Sequence, residues 1–182
     1  MRTFWLIVVV VLIIAGSASW YQVTHTKSAS NGTGDTVTYT SDFGVKFDYP
    51  IDYLLNDKTV RVSLITDTPE HRQLLAGNLP GREGPVSIDV SFFENVDHKG
   101  DLKAWIENGK NSLYTLGPKV LVTAVIDGEP GYRYRWSGLY EGETVAVQQG
   151  DIVYLFSVSW MNATDPIIAD FDQLLTTVRF SL

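Results

Sequence analysis

Residues 4–15 read Phe4-Trp5-Leu6-Ile7-Val8-Val9-Val10-Val11-Leu12-Ile13-Ile14-Ala15, an unbroken apolar run with Arg2 before it and Gly16-Ser17-Ala18-Ser19-Trp20-Tyr21 after it. A helix built from it is apolar around its whole circumference. A helix on a soluble core needs a polar face as well as an apolar stripe, so the run reads as a membrane or export segment. It places the remaining chain outside the cytoplasm, away from nucleotides and cytosolic cofactors.

Two readings of that segment stand. A membrane span needs about 20 residues, which residues 4–23 supply if Gly16, Ser17, Ala18 and Ser19 lie inside it. Phe4 and Trp5 at one end and Trp20 and Tyr21 at the other, about 22 Å apart along a helix, resemble the aromatic belts of a retained anchor. A short apolar core after one arginine, closed by Gly16-Ser17-Ala18, also reads as a secretory signal cut after Ala18. The belts favour the anchor. Arg2 and the terminal amine against Lys27 place the N-terminus inside and the domain on the periplasmic or extracellular side.

The chain has no cysteine. That excludes a lipidated cysteine behind the apolar run, a disulfide framework, and thiolate chemistry with zinc or substrate. Stability has to come from an apolar core, and the 148 residues from Asp35 onward suffice for one domain. Beyond residue 34 the chain carries 12 basic against 21 acidic side chains, a formal balance of −9. Such a domain repels phosphate backbones, which argues against nucleic-acid binding, and it repels anionic lipid, leaving residues 1–26 as the membrane contact.

Residues 27–36, Lys27-Ser28-Ala29-Ser30-Asn31-Gly32-Thr33-Gly34-Asp35-Thr36, have the small, polar composition of a flexible tether. From residue 37 to 182 the pattern is that of one domain. Alternation predicts strands over 37–40, 45–49, 60–65 and 86–94, with a glycine turn at Ser41-Asp42-Phe43-Gly44 and a stop at Pro50. Asp101 caps a predicted helix over 102–114, stopped by Gly117-Pro118. Strands follow over 120–126, 131–136, 144–148 and 152–160, with turns at Asp127-Gly128, Glu141-Gly142 and Gly150-Asp151. Asp165-Pro166 then opens a helix whose Ile167, Ile168, Phe171, Leu174, Leu175 and Val178 form a broad apolar stripe. Short antiparallel strands around two amphipathic helices make an α+β layered domain.

The string Phe43-Gly44-Val45-Lys46-Phe47-Asp48-Tyr49-Pro50 resembles the opening of PsbP-like domains, a glycine hairpin running into an F-x-Y-P strand end. Ile126-Asp127-Gly128-Glu129-Pro130-Gly131 before an aromatic strand, and a last helix running into Thr177-Val178-Arg179-Phe180, are also similar to that family and its DcrB-like bacterial relatives. Tyr53 stands where such domains carry tryptophan. The resemblance implies an antiparallel sheet with helices packed on its faces, used by extracytoplasmic accessory proteins that assist assemblies. It carries over no catalytic residue, metal ligand or cofactor.

Site chemistry is sparse. His25, His71 and His98 do not recur at metal-ligand spacing, and His98 beside Asp97 has no G-x-S-x-G elbow to serve. Asp165, Asp170 and Asp172 lack the loop spacing and glycine of a calcium site. Neither a Walker loop nor a G-x-G-x-x-G turn is present. Two surfaces remain as candidates. Tyr132, Tyr134 and Trp136 alternate with Arg133 and Arg135, so three rings share one sheet face, as core or as a platform for a peptide or glycan. The connection 66–85 reads as one short surface helix, from Thr68-Pro69 to Gly77, and Leu74, Leu75 and Leu79 form either a partner-docking patch or a local mini-core. The expected function is a membrane-tethered, non-catalytic binding or assembly module with a protein partner in the envelope. The alternatives are a hydrolase or metal-dependent enzyme assembled from scattered residues, and a small-ligand or glycan carrier on the aromatic face.

Overall fold

The computed structural model describes residues 34–79, 83–95 and 101–181, together with the backbone of residues 26–28. The apolar run, Ala18, His25 and His98 lie outside the described residues. No helix among the described residues is long and apolar enough to cross a membrane.

The chain runs β1 (Thr26–Ser28), β2 (Thr36–Thr40), β3 (Val45–Pro50), β4 (Tyr53–Lys58), β5 (Arg61–Thr66), α1 (Pro69–Leu75), β6 (Ile88–Glu94), α2 (Leu102–Asn108), a 3-10 turn (Tyr114–Leu116), β7 (Val122–Ile126), β8 (Glu129–Ser137), β9 (Glu141–Gln149), β10 (Ile152–Trp160), α3 (Ile167–Thr177) and β11 (Arg179–Phe180). The fold is α+β and its strand pairs are antiparallel. The strands divide between a four-stranded sheet, β1-β2-β3-β11, and a seven-stranded sheet, β4-β5-β6-β10-β9-β8-β7. The antiparallel strands that the resemblance implies are laid out in two sheets, and the turn at Ile51-Asp52 after Pro50 carries the chain from one to the other.

One core lies between the sheets. Val45, Phe47 and Tyr49 of β3 and Ile167, Phe171, Leu174 and Leu175 of α3 meet Val62, Leu64, Ile88, Val90, Phe156 and Val158 of the larger sheet. The β2–β3 hairpin closes at Gly44, whose φ of +78° disfavours a Cβ and whose Cα faces the Ser181 carbonyl. A smaller core forms on the outer face of the larger sheet, where α2 and the 3-10 turn cover Ala146, Val153, Leu155 and Tyr134.

Three strands escape the sequence pattern. β1 arises at the junction of the expected leader and tether and pairs with β2, Thr26 opposite Thr38. β4 has no alternation to betray it, three apolar residues being followed by Asn56, Asp57 and Lys58, but it pairs along its whole length with β5. β11 has only two residues. The predicted helix over 102–114 ends at Asn108, because Gly109 turns extended and Ser112 folds back to donate to the Ile106 and Gly109 carbonyls at 2.7 and 2.9 Å. Leu113, in the left-handed region at φ 59°, then starts the 3-10 turn. The caps behave as read, the Asp101 carboxylate accepting the Ala104 N–H at 2.9 Å and Thr68 Oγ1 the His71 N–H at 3.1 Å.

Five tyrosines hold their protons more tightly than a free phenol. Burial raises Tyr39, Tyr49, Tyr53, Tyr134 and Tyr154, and Tyr39 and Tyr53 also donate to Asp57 and Asp170 at 3.1 and 2.7 Å. The folded state binds these protons more strongly than the unfolded chain, whose phenols titrate near pH 10, so their contribution is complete below that pH and falls above it. Alkaline titration followed by phenolate absorbance and circular dichroism is expected to show late phenolate formation coincident with unfolding. Full ionisation with native circular dichroism would refute this.

A candidate binding groove on the outer sheet face

The outer face of the seven-stranded sheet is half covered. Alternate residues of β5, β6, β10, β9 and β8 project there, and the pairing lines them up in rows across the sheet. One row runs Ser63, Asp89, Ser157, Thr144, Tyr134, and a second runs Arg61, Ser91, Leu155, Ala146, Tyr132. In a third, Ser159 stands beside Gly142 and Trp136. The apolar part of this face lies under α2 and the 3-10 turn. The hydroxyl-bearing part floors a groove of about 490 Å³ walled by Lys110, Asn111 and Leu113 on one side and by Gly84, Pro85, Leu139 and Tyr140 on another.

The polar groups on the floor are ordered among themselves. Ser63 Oγ donates to one oxygen of the Asp89 carboxylate and Ser87 Oγ to the other at 2.7 Å. Ser159 Oγ accepts the Ser87 N–H at 3.0 Å. Trp136 Nε1 donates to Thr144 Oγ1 at 3.0 Å, and that hydroxyl sits 2.8 Å from Ser157 Oγ. A Cβ on Gly142 would fall 2.2 Å from the Trp136 ring, so the glycine is what lets the indole lie flat on the strand. Tyr140 donates to the Gly84 carbonyl at 2.8 Å and ties the second wall together. Arg61 and Lys110 bring cationic groups to the lining.

The opposite face of the same strands carries an ion cluster. Arg133 donates to Glu143 at 2.6 Å and to Asp172 of α3 at 2.7 Å, and Arg135 reaches the other Glu143 oxygen at 3.4 Å. The expected segregation of rings from arginines holds. The rings do not form an open platform, however. Tyr134 is 2% exposed, stacks edge-on against Tyr114 and donates to the Ser112 carbonyl at 2.7 Å, because the 3-10 turn lies over it. Tyr132 and Trp136 flank it half-buried and line separate clefts, Tyr132 one of about 510 Å³ with Asp101, Lys103 and Gln148, and Trp136 the hydroxyl groove.

Other sequence-marked residues disperse. Helix α1 fully buries none of its residues; Leu75 is 38% exposed, and Leu74 and Leu79 are half-buried. His71 Nδ1 lies 2.7 Å from the Thr66 carbonyl within the same connection. Asp165 accepts the Ile167 N–H at 3.2 Å, Asp170 the Tyr53 hydroxyl and Asp172 the Arg133 guanidinium, so the three carboxylates serve three different partners. No group of three or more His, Asp or Glu side chains suited to a metal forms among the described residues. The hydroxyl groove was not anticipated. Its signal is Ser87-Ile88-Asp89-Val90-Ser91 and Ser157-Val158-Ser159, polar positions that alternation alone reads as a solvated face.

No protein-family model matches the chain, and no curated protein does. Among solved structures, the solution structure of cyanobacterial PsbP (CyanoP) from Synechocystis sp. PCC 6803 aligns with 85% of this chain and 98% of its own at 13% identity, with a TM-score of 0.55. A crystal structure from Bacteroides thetaiotaomicron VPI-5482 aligns with 76% of this chain at 11% identity and a TM-score of 0.48, and the chain spans 46% of that protein's length. The likeness to CyanoP is one of fold, and the fold is PsbP-like.

Proposed function

We propose that this PsbP-like fold serves as a membrane-tethered, extracytoplasmic accessory module that binds rather than transforms, and that its ligand is a saccharide held in the Asp89 groove. The observation that carries the reading is the uncovered half of the outer sheet face, where serine hydroxyls of the adjacent strands β6 and β10 and the Asp89 carboxylate stand beside an indole. Sugars offer paired hydroxyls to such a row, and their C–H faces suit a flat aromatic ring. Arg61 and Lys110 extend the range to sugars bearing a carboxylate. Residues 4–21 supply the membrane anchor in this reading, and local concentration near the membrane raises the effective affinity for an envelope ligand.

Calorimetric titration of the full chain in detergent with short soluble N-acetylated and uronic-acid oligosaccharides tests the groove. Binding is expected, and Asp89→Asn and Trp136→Ala are each expected to weaken it about tenfold or more, the scale of one hydrogen bond to a charged group. Absence of binding across the series, or binding indifferent to both changes, sinks the saccharide. Membrane sedimentation of the full chain, with the domain open to protease added from outside the cell, tests the tether; recovery of the full chain from the cytosol defeats it. A second reading is protein docking through Leu74, Leu75 and Leu79, favoured by a helix none of whose residues is fully buried. Changing all three to serine would then abolish recovery of a defined envelope partner.

A further inference from the structure

Strand β7 forms one edge of the seven-stranded sheet, and it lacks the devices that keep sheet edges apart. Residues 120–126, Val120-Leu121-Val122-Thr123-Ala124-Val125-Ile126, contain no charge and no proline. Val120, Val122 and Val125 are 58, 58 and 67% exposed. The opposite edge, β4, ends in Asn56, Asp57 and Lys58 and is guarded accordingly.

The hairpin geometry says which backbone groups are free. Asp127 and Gly128, at φ 51° and 85°, make a two-residue turn that closes on the hydrogen-bonded pair Ile126 and Glu129. Counting back, Ala124–Gly131 and Val122–Arg133 are also hydrogen-bonded pairs. Val125–Pro130 falls at a position that needs no N–H from the proline. Thr123 and Val125 therefore turn their N–H and C=O groups away from β8, toward the open edge.

We infer that this edge pairs with β7 of a second copy of the chain, antiparallel about a two-fold axis through Ala124. That register is the one the free groups select. Thr123 of one copy meets Val125 of the other as a hydrogen-bonded pair on each side of the axis, and Ala124 faces Ala124 at the close-approach position, where a small side chain is needed. Val122 lies opposite the partner's Ile126, and no charged residue falls within the paired segment. A two-fold arrangement satisfies both edges at once, which a heterologous strand would not.

The chain has no cysteine, so an introduced thiol reports the register without background. Full-length Ala124→Cys, oxidised in membranes and in detergent, is expected to convert mostly to a disulfide dimer, whereas Asn56→Cys on the guarded edge stays monomeric. The unaltered chain is expected to show twice the monomer mass by light scattering, and Val125→Lys to halve it while keeping the native circular dichroism and melting behaviour. A dimer that survives Val125→Lys belongs to the apolar leader and overturns the inference. So does a monomeric mass for the unaltered chain, or equal cross-linking at Asn56→Cys.

Discussion

Replacing Phe171 by alanine is expected to cost about 3–5 kcal/mol of stability, lowering the melting temperature of the domain by roughly 10 °C or more. Phe171 is fully buried on α3, among Ile167, Leu174 and Leu175 on its own helix and the inward side chains of both sheets. α3 contacts β3 of the small sheet and β10 of the large one, so this ring fills the space where the two sheets and the helix meet. Neither sheet can close on the vacancy without drawing away from the other, because Val45, Phe47, Phe156 and Val158 are themselves fixed by strand pairing. The cost therefore combines the lost transfer of the ring from water with an unrelaxed cavity. Chemical denaturation of Phe171→Ala beside Phe171→Leu measures both parts. A loss below about 1 kcal/mol for the alanine variant would mean that the helix is not the keystone described.

Gly131→Val is the second large effect, expected near 3 kcal/mol, the upper part of the range for overpacked sites. A Cβ at Gly131 would stand 2.2 Å from the Ala146 carbonyl oxygen and 2.9 Å from Val147 Cγ2. The first of these is backbone, which a rotamer change cannot relieve, so β8 must separate from β9. Gly131 also pairs with Ala124, so β7 is carried away with it. The distinctive consequence is local. Hydrogen exchange in β7 and β8 is expected to accelerate well beyond that in β5, β6 and β10, while Gly138→Val, with open space around its Cα and no positive φ, leaves the sheet paired and costs less. Uniform loss of protection across all strands would show that the clash is not confined to the β8–β9 seam.

What residue order could and could not determine follows from the range of the forces involved. Strand β10 was legible to the residue because seven of the nine residues from Ile152 to Trp160 are apolar, β-branched or aromatic and the run is bounded by Gly150-Asp151 and Met161-Asn162. The caps Asp101 and Thr68, the hairpin at Gly44 and the stripe of α3 were legible for the same reason: each depends on neighbours within a few positions. β4 was not, because a guarded edge strand must carry the polar residues that hide it from a period-two search. The short α2 was not, because Ser112 ends the helix through a contact that the local pattern does not require.

The groove marks the boundary most clearly. Sequence alone decided that Ser87, Asp89, Ser91, Ser157 and Ser159 point to one face of their strands, since side-chain direction follows the pleat. It also decided that Tyr134 and Trp136 share a face. Only the tertiary structure decided that the serine strands lie next to each other in register, that the 3-10 turn covers Tyr134 while Trp136 still lines the groove, and that the hydroxyls are left open as a concave floor. Direction along a strand is a local property of the backbone, whereas which part of a face is covered depends on where a distant segment finds its lowest free energy.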